Sequence, residues 1–308
     1  MAVRSSIRVL IRKTGDRAVV LCSLLALLLN AGCANSALRH HDLLDTLAGL
    51  EHTSSLDPHA LRDTDVLALD SDARRFIDSR TRDIPDTYEK LRALRRAVFA
   101  QNGLNFHFDE DLTLGAEATF RHAGGNCLAL ANFFVAAVRY LGIDAVYQEV
   151  TRRVRRREVA TGGDDIYMIE QHINVSGAIG RGWPPARYVL DYRAWPRQDF
   201  SAARIIPDRR ALAHYYNNLA MQRLAAGHRE TALQYLKKAL LADPEVAFVW
   251  SNLGVVYARR GDPEAAEFAY ERALALDRFQ SSARSNLELL REKMRAGDDA
   301  GHRRNHAG

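Results

Sequence analysis

The sequence predicts an α+β domain followed by an all-α repeat domain, and three observations carry that expectation. Helical periodicity fills residues 70–142, strand-like alternation follows up to residue 192, and beyond it two segments repeat one another at an offset of 34 residues. Helices first and strands afterwards indicate segregated layers, not a doubly wound parallel sheet. With 308 residues, of which 47% are hydrophobic and 26% charged, the chain has apolar content for one large or two ordinary domains. These proportions exclude a wholly disordered chain, and three cysteines exclude a disulfide scaffold or a many-thiolate zinc protein.

The formal charge of +5 is concentrated at one end. Arg4, Arg8, Arg12, Lys13 and Arg17 are five of the 43 basic residues, and Asp16 is the one acid beside them. Without that end 38 bases face 37 acids, which leaves no electrostatic footprint for nucleic acid. Residues 18–29 (AVVLCSLLALLL) follow, too short against the roughly 20 residues that a bilayer-crossing helix needs. They read as the apolar core of a secretory signal. Leu29-Asn30-Ala31-Gly32-Cys33 then resembles a bacterial lipobox, with Asn30 where an aliphatic residue is usual. That resemblance implies a lipoprotein signal peptide over 1–32, a lipid anchor on Cys33, and a periplasm-facing location in the bacterial cell envelope. Ala34 after the cysteine favours the outer membrane over the inner. Cys22 leaves with the signal and Cys33 is blocked by lipid, so Cys127 is the lone remaining thiol in an oxidising compartment. Such a thiol is a liability unless it is buried or used.

Residues 33–60 read as a tether with a short apolar helix. Asp70-Ser71-Asp72 offers caps ahead of a helix, and Asp86 opens a longer one in which Tyr88, Leu91, Leu94, Val98 and Phe99 recur at steps of three and four until Gly103 ends it. Residues 112–120 are helical and lead to Gly124-Gly125-Asn126-Cys127, after which 128–140 is apolar at helical spacing and stops at Gly142. Cys127 is thus placed at a helix start behind a glycine turn. Residues 145–150 (AVYQEV) are strand-like. Arg152, Arg153, Arg155, Arg156 and Arg157, with Gly162-Gly163, read as a loop whose arginines are solvated or meet anionic headgroups or an acidic substrate. In 168–176 Met168, Glu170, His172 and Asn174 alternate with Ile169, Ile173 and Val175, and 188–192 (YVLDY) forms a third strand.

Taken alone, Cys127 packs as a small hydrophobe. Its position changes that reading, because a helix amino terminus offers unpaired N–H groups and the positive end of the dipole to a thiolate. A base and a group to orient it are then required. His172 lies 45 residues on, and Asp191 follows it by 19 on another strand. Nothing in the sequence supplies a metal site or a cofactor site.

Residues 90–192 resemble the bacterial transglutaminase-like domain, through GGNCLALANFFVAAVRYLGI, QHINV and YVLDYRAW in that order. The resemblance implies Cys127 as nucleophile, His172 as general base and then acid, Asp191 as its orienting partner, and acyl transfer at a peptide or protein amide. Hydrolysis by a peptidase or amidase is implied ahead of cross-linking. The Cys127 N–H is one oxyanion-donor candidate by its place at the helix start, and Asn126 is a side-chain candidate. The upstream LRALRRAVFAQNGLNF resembles a bacterial subgroup that joins this domain to tetratricopeptide repeats.

The repeats themselves are read from the 34-residue offset. Tyr216, Leu219, Ala220, Gly227, Ala232, Leu236, Ala239, Asp243 and Pro244 correspond to Trp250, Leu253, Gly254, Gly261, Ala266, Tyr270, Ala273, Asp277 and Arg278. That period, with small residues where paired helices touch, is the tetratricopeptide signature. Residues 282–296 read as a capping helix and 297–308 as a disordered tail. The expected organisation is a transglutaminase-like domain over 61–203 and repeats over 204–296. Two repeats are few for a free solenoid, so they are expected to dock on the preceding domain. The function expected is a membrane-tethered cysteine enzyme whose repeats recruit a protein substrate or partner. The competing reading is a non-catalytic scaffold lipoprotein that binds an envelope protein through its repeats.

Overall fold

The computed structural model describes the backbone of residues 64–152, 157–161, 164–168, 171–179, 186–190 and 200–305. All of them belong to one compact unit spanning Leu56–Gly308. Helices α1 (Ser71–Thr81) and α2 (Thr87–Phe99) each start on an aspartate: Asp70 accepts from the Ala73 N–H at 2.8 Å and Asp86 from the Glu89 N–H at 2.8 Å. These side chains stand in for the partners that first-turn N–H groups lack. A short strand β1 (His107–Phe108), α3 (Ala116–His122), β2 (Gly124–Gly125) and α4 (Cys127–Tyr140) follow. Every residue of α4 from Leu128 to Val138 is buried, so this helix is the centre of its half of the molecule. Phe133 stacks on Phe120 with centroids 6.1 Å apart, and Phe134 meets Phe99 at 6.3 Å.

Strand β3 (Val146–Arg152) is followed by a hairpin of β4 (Arg157–Thr161) and β5 (Asp164–Met168), then by β6 (Gln171–Ile179), β7 (Ala186–Leu190) and β8 (Phe200–Ile206). The main sheet is antiparallel with strand order β7-β6-β3-β8. Register puts Tyr147 opposite Val175 and Glu149 opposite Ile173, and all four are buried on the helix-facing side. There the Tyr147 hydroxyl donates to Asn132 of α4 at 2.7 Å, while Asn132 donates to the Leu114 carbonyl at 2.9 Å. Val189 and Ile205, on the other face, are each 53% exposed.

Two differences from the sequence reading lie in this region. Residues 157–161 and 164–168, on either side of the Gly162-Gly163 pair of the expected loop, pair as strands β4 and β5. Arg153, Arg155, Arg156 and the two glycines lie outside the described residues. Strand β8 was not foreseen: its short run FSAARII pairs along one edge of β3 and buries Ile206 beside Tyr147.

The repeats consist of α5 (Asp208–Ala225), α6 (Arg229–Ala242), α7 (Ala247–Arg260), α8 (Pro263–Leu276) and α9 (Ser281–Asn305). Corresponding contacts are filled in complementary ways. Ala220 and Leu236 are buried in the first repeat, and Gly254 lies under Tyr270 in the second, where an added Cβ would stand 2.6 Å from the ring. Arg278 takes the place of proline without loss of the turn, since Asp277 accepts from the Phe279 N–H at 3.0 Å just as Asp243 accepts from Glu245 at 3.1 Å. The last helix continues to Asn305, beyond the residue-297 start of the expected tail. Gly297 and Gly301 inside the helix each cost only about 1 kcal/mol. Among the described residues no helix is long and apolar enough to cross a membrane.

The repeats dock on the sheet domain, as the small repeat number requires. Asp208 at the start of α5 receives a two-pronged bond from Arg139 of α4 at 2.6 and 2.9 Å. Glu149, with a fully buried side chain on β3, accepts from Arg204 of β8 at 2.5 Å and lies 3.4 Å from Nε2 of His214 on α5. Burial works to raise the Glu149 carboxyl, but bonding and charge from His214, and then from Arg204, overcome it and bring the group down to about 2. Because the folded value lies below the ordinary 4.5, the stabilisation is complete above about 4.5 and is lost as pH falls toward about 2. Urea midpoints measured across that window should fall steeply in the wild-type chain. Glu149→Gln should start from a lower midpoint at pH 7 and show a shallower acid slope. A Gly254→Val variant should lose about 1–3 kcal/mol of stability by overpacking against Tyr270, read in the same urea titration.

Candidate active site

The turn before α4 is built by close backbone approach. β1 and β2 pair in parallel, His107 with Gly124 and Phe108 with Gly125. Gly125 has φ +143°, a conformation that side-chain-bearing residues rarely adopt. A Cβ on Gly124 would collide with the His107 ring at 2.3 Å. Two glycines therefore let a strand lie flat against its neighbour immediately ahead of the helix.

Asn126 converts that turn into a helix start. Its Oδ1 accepts from the Ala129 N–H at 3.0 Å, and its Nδ2 donates to Thr113 Oγ1 at 2.6 Å. Its own N–H donates to the Leu112 carbonyl at 2.8 Å. The strap 109–113 thus holds the cap by main chain and side chain alike, with the amide buried at 6% exposure. Cys127 is the first residue of the helix, half-buried and with a free thiol. The neighbouring first-turn N–H groups face the end of the helix where an anion or a developing oxyanion is stabilised.

His172 is the second residue of β6, its backbone paired with Val150 of β3. Helix α4 packs on β6, and their far ends meet near Asp144: Arg139 donates to the Ala145 carbonyl at 2.9 Å and the Ala178 N–H donates to Asp144 at 2.9 Å. Counting back from there, Tyr140 to Cys127 spans about 20 Å of helix and Ala178 to His172 about 20 Å of strand. His172 is thus six residues along β6 from Ala178, at the end of the strand away from Asp144. Its side chain lies outside the described residues, as do Asp191 and the lipidation candidate Cys33. Leu190, just before Asp191, pairs with Val175 on β6. Trp183 and Trp195 also lie outside the described residues.

Comparison with known families matches residues 74–195 to the transglutaminase-like superfamily, and residues 213–246 and 247–279 each to a tetratricopeptide repeat. The chain joins a transglutaminase-like domain to tetratricopeptide repeats. Cys127, His172 and Asp191 all fall within the matched transglutaminase-like stretch. No curated protein matches the chain. Among solved structures it is similar to the Sgt2 tetratricopeptide domain from Aspergillus fumigatus, with 25% identity and a TM-score of 0.27 over 28% of this chain and 59% of that one. It is also similar to the first such domain of Spaghetti (RPAP3) bound to an HSP90 peptide, with 22% identity and a TM-score of 0.28 over 30% of this chain and 74% of that one. A third likeness is to MamA, with 23% identity and a TM-score of 0.27 over 29% of this chain and 53% of that one. The present chain therefore spans less than two thirds of the first of these. Tetratricopeptide repeats support binding to protein partners.

Around the transglutaminase-like site the sequence reading missed His107, Thr113 and Gln222. His107 is exposed beside the glycine turn, and its signal was an isolated histidine in an irregular segment. Gln222 of α5 donates to the Asp111 carbonyl, across 111 residues of chain, a proximity that no local pattern encodes. Asn126→Ala should remove the cap at a cost of about 1 kcal/mol, seen as a lower thermal midpoint and as faster hydrogen exchange at the Ala129 amide.

Proposed function

We propose that this chain is an envelope lipoprotein, anchored through Cys33, whose transglutaminase-like domain performs cysteine-dependent acyl transfer on peptide or protein amides, with hydrolysis as the outcome. The observation that carries the reading is Cys127 at the capped amino end of a buried helix, within the stretch that matches the transglutaminase-like superfamily. In this mechanism His172 takes the Cys127 thiol proton, the resulting thiolate attacks the amide carbonyl carbon, and the oxyanion is met by first-turn N–H groups. His172, oriented by Asp191, protonates the leaving amine as the C–N bond breaks, which leaves a thioester on Cys127. Water then attacks the thioester, giving its proton to His172, and the acid departs as the thiol is restored. The repeats hold the protein substrate or a partner that brings it. The apolar leader and the Leu29-Asn30-Ala31-Gly32-Cys33 motif support the anchor and the periplasm-facing, outer-membrane location.

The test is the pH dependence of iodoacetamide alkylation at Cys127, resolved by peptide mass spectrometry in the full-length chain. Alkylation should be rapid well below about 8.5, the ordinary value for a free thiol, and should slow or shift in His172→Ala and Asp191→Ala. Slow, identical alkylation in all three folded proteins defeats the enzyme and leaves the scaffold reading.

A further inference from the structure

We propose that the first repeat helix is a positioning element of the cysteine site: Gln222 of α5 fixes the 109–113 strap that holds the cap of α4, so the repeats set the geometry of the Cys127 turn. Its functional meaning rests on Cys127 being the nucleophile. Its geometry does not.

Two grips at their ends place helix α5 antiparallel to α4. Asp208 grips Arg139 near the end of α4, and Gln222 reaches Asp111 beside its start. Asp208 to Gln222 is about 21 Å of helix and Arg139 back to Cys127 about 18 Å, so the two grips bracket the cysteine helix. Three consecutive strap residues then pass the contact inward. The Asp111 carbonyl accepts from Gln222, the Leu112 carbonyl accepts from the Asn126 N–H at 2.8 Å, and Thr113 Oγ1 accepts from Asn126 Nδ2 at 2.6 Å. Asn126 in turn caps Ala129 at 3.0 Å. The strap is braced on its other side, where the Asp109 N–H donates to the Gly125 carbonyl at 3.1 Å. A displacement at Asp111 therefore reaches the cap through covalently adjacent residues. Gln222 touches neither the thiol nor a substrate; it acts through Asn126. What it controls is the order of the first-turn N–H groups that would face a thiolate and an oxyanion.

Gln222→Met removes the donor at nearly constant size, and Gln222→Lys keeps a donor at similar reach. Both are compared with wild type in the full-length chain by hydrogen exchange along α4 and by the pH profile of Cys127 alkylation. In Gln222→Met the first-turn amides of α4 should exchange faster by about threefold or more, a part of what losing a whole cap would cause, while amides at the Arg139 end stay unchanged. Alkylation at pH 7 should fall by a similar factor, its profile should move to higher pH, and Gln222→Lys should restore both. Equal first-turn exchange in Gln222→Met and wild type overturns the proposal whatever the thiol does. Faster exchange with an ordinary thiol profile in every protein supports the positioning and defeats only the nucleophile.

Discussion

A helix buried on every side has only its ends to offer, and α4 is such a helix from Leu128 to Val138. Its last turn is taken up by Arg139, which reaches the Ala145 carbonyl and Asp208. Its first turn is left with N–H groups that must be met by a cap or by whatever enters from outside. Asn126 meets one of them at Ala129, and the half-exposed Cys127 stands beside the others. The aromatic packing of Phe120, Phe133 and Phe134, the sheet and α5 all serve to hold this one rod in place.

The second constraint is a carboxylate where water does not reach. A buried charge is tolerated only when it is paired and bonded, and Glu149 draws its two partners from different modules. Arg204 comes from the last strand of the sheet and His214 from the first repeat helix. His214 is itself packed on Phe248 of α7, with ring centroids 4.5 Å apart, so the polar contact is continuous with the repeat core. Polar pairing of this kind fixes orientation more than it adds stability, because both groups give up hydration to meet.

Much of the architecture was legible because local rules governed it. Asp70 and Asp86 capped the helices their positions announced, the 34-residue offset gave the repeat helices, and the apolar run after Cys127 proved to be the central helix. What escaped was whatever depended on distant partners. Residues 200–206 form a strand because β3 presents an open edge, not because their own composition demands it. Glu149 reads as a polar residue in an alternating strand, and its burial is explained only by Arg204 and His214, which lie 55 and 65 residues away. At the candidate site Cys127 was legible as a helix start because a glycine turn is a local feature, whereas Asn126, read as an oxyanion candidate, has its amide bonded to Thr113 and Ala129 as the cap. The strap and Gln222 were invisible, since hydrogen bonds to the Leu112 and Asp111 main-chain carbonyls leave no trace in side-chain pattern.

The close approach of His214 to Glu149 also bears on how such a chain comes to exist. Two recognisable sequence modules are usually taken as separable parts, free to be exchanged between genes. Here a cut after Ile206 would take His214 from beside the buried Glu149 and Asp208 from its two-pronged contact with Arg139, leaving Arg204 with Glu149. The linkage between the halves thus ties their inheritance together: exchanging the repeats alone would remove His214 and Asp208 from the residues they meet in the first half.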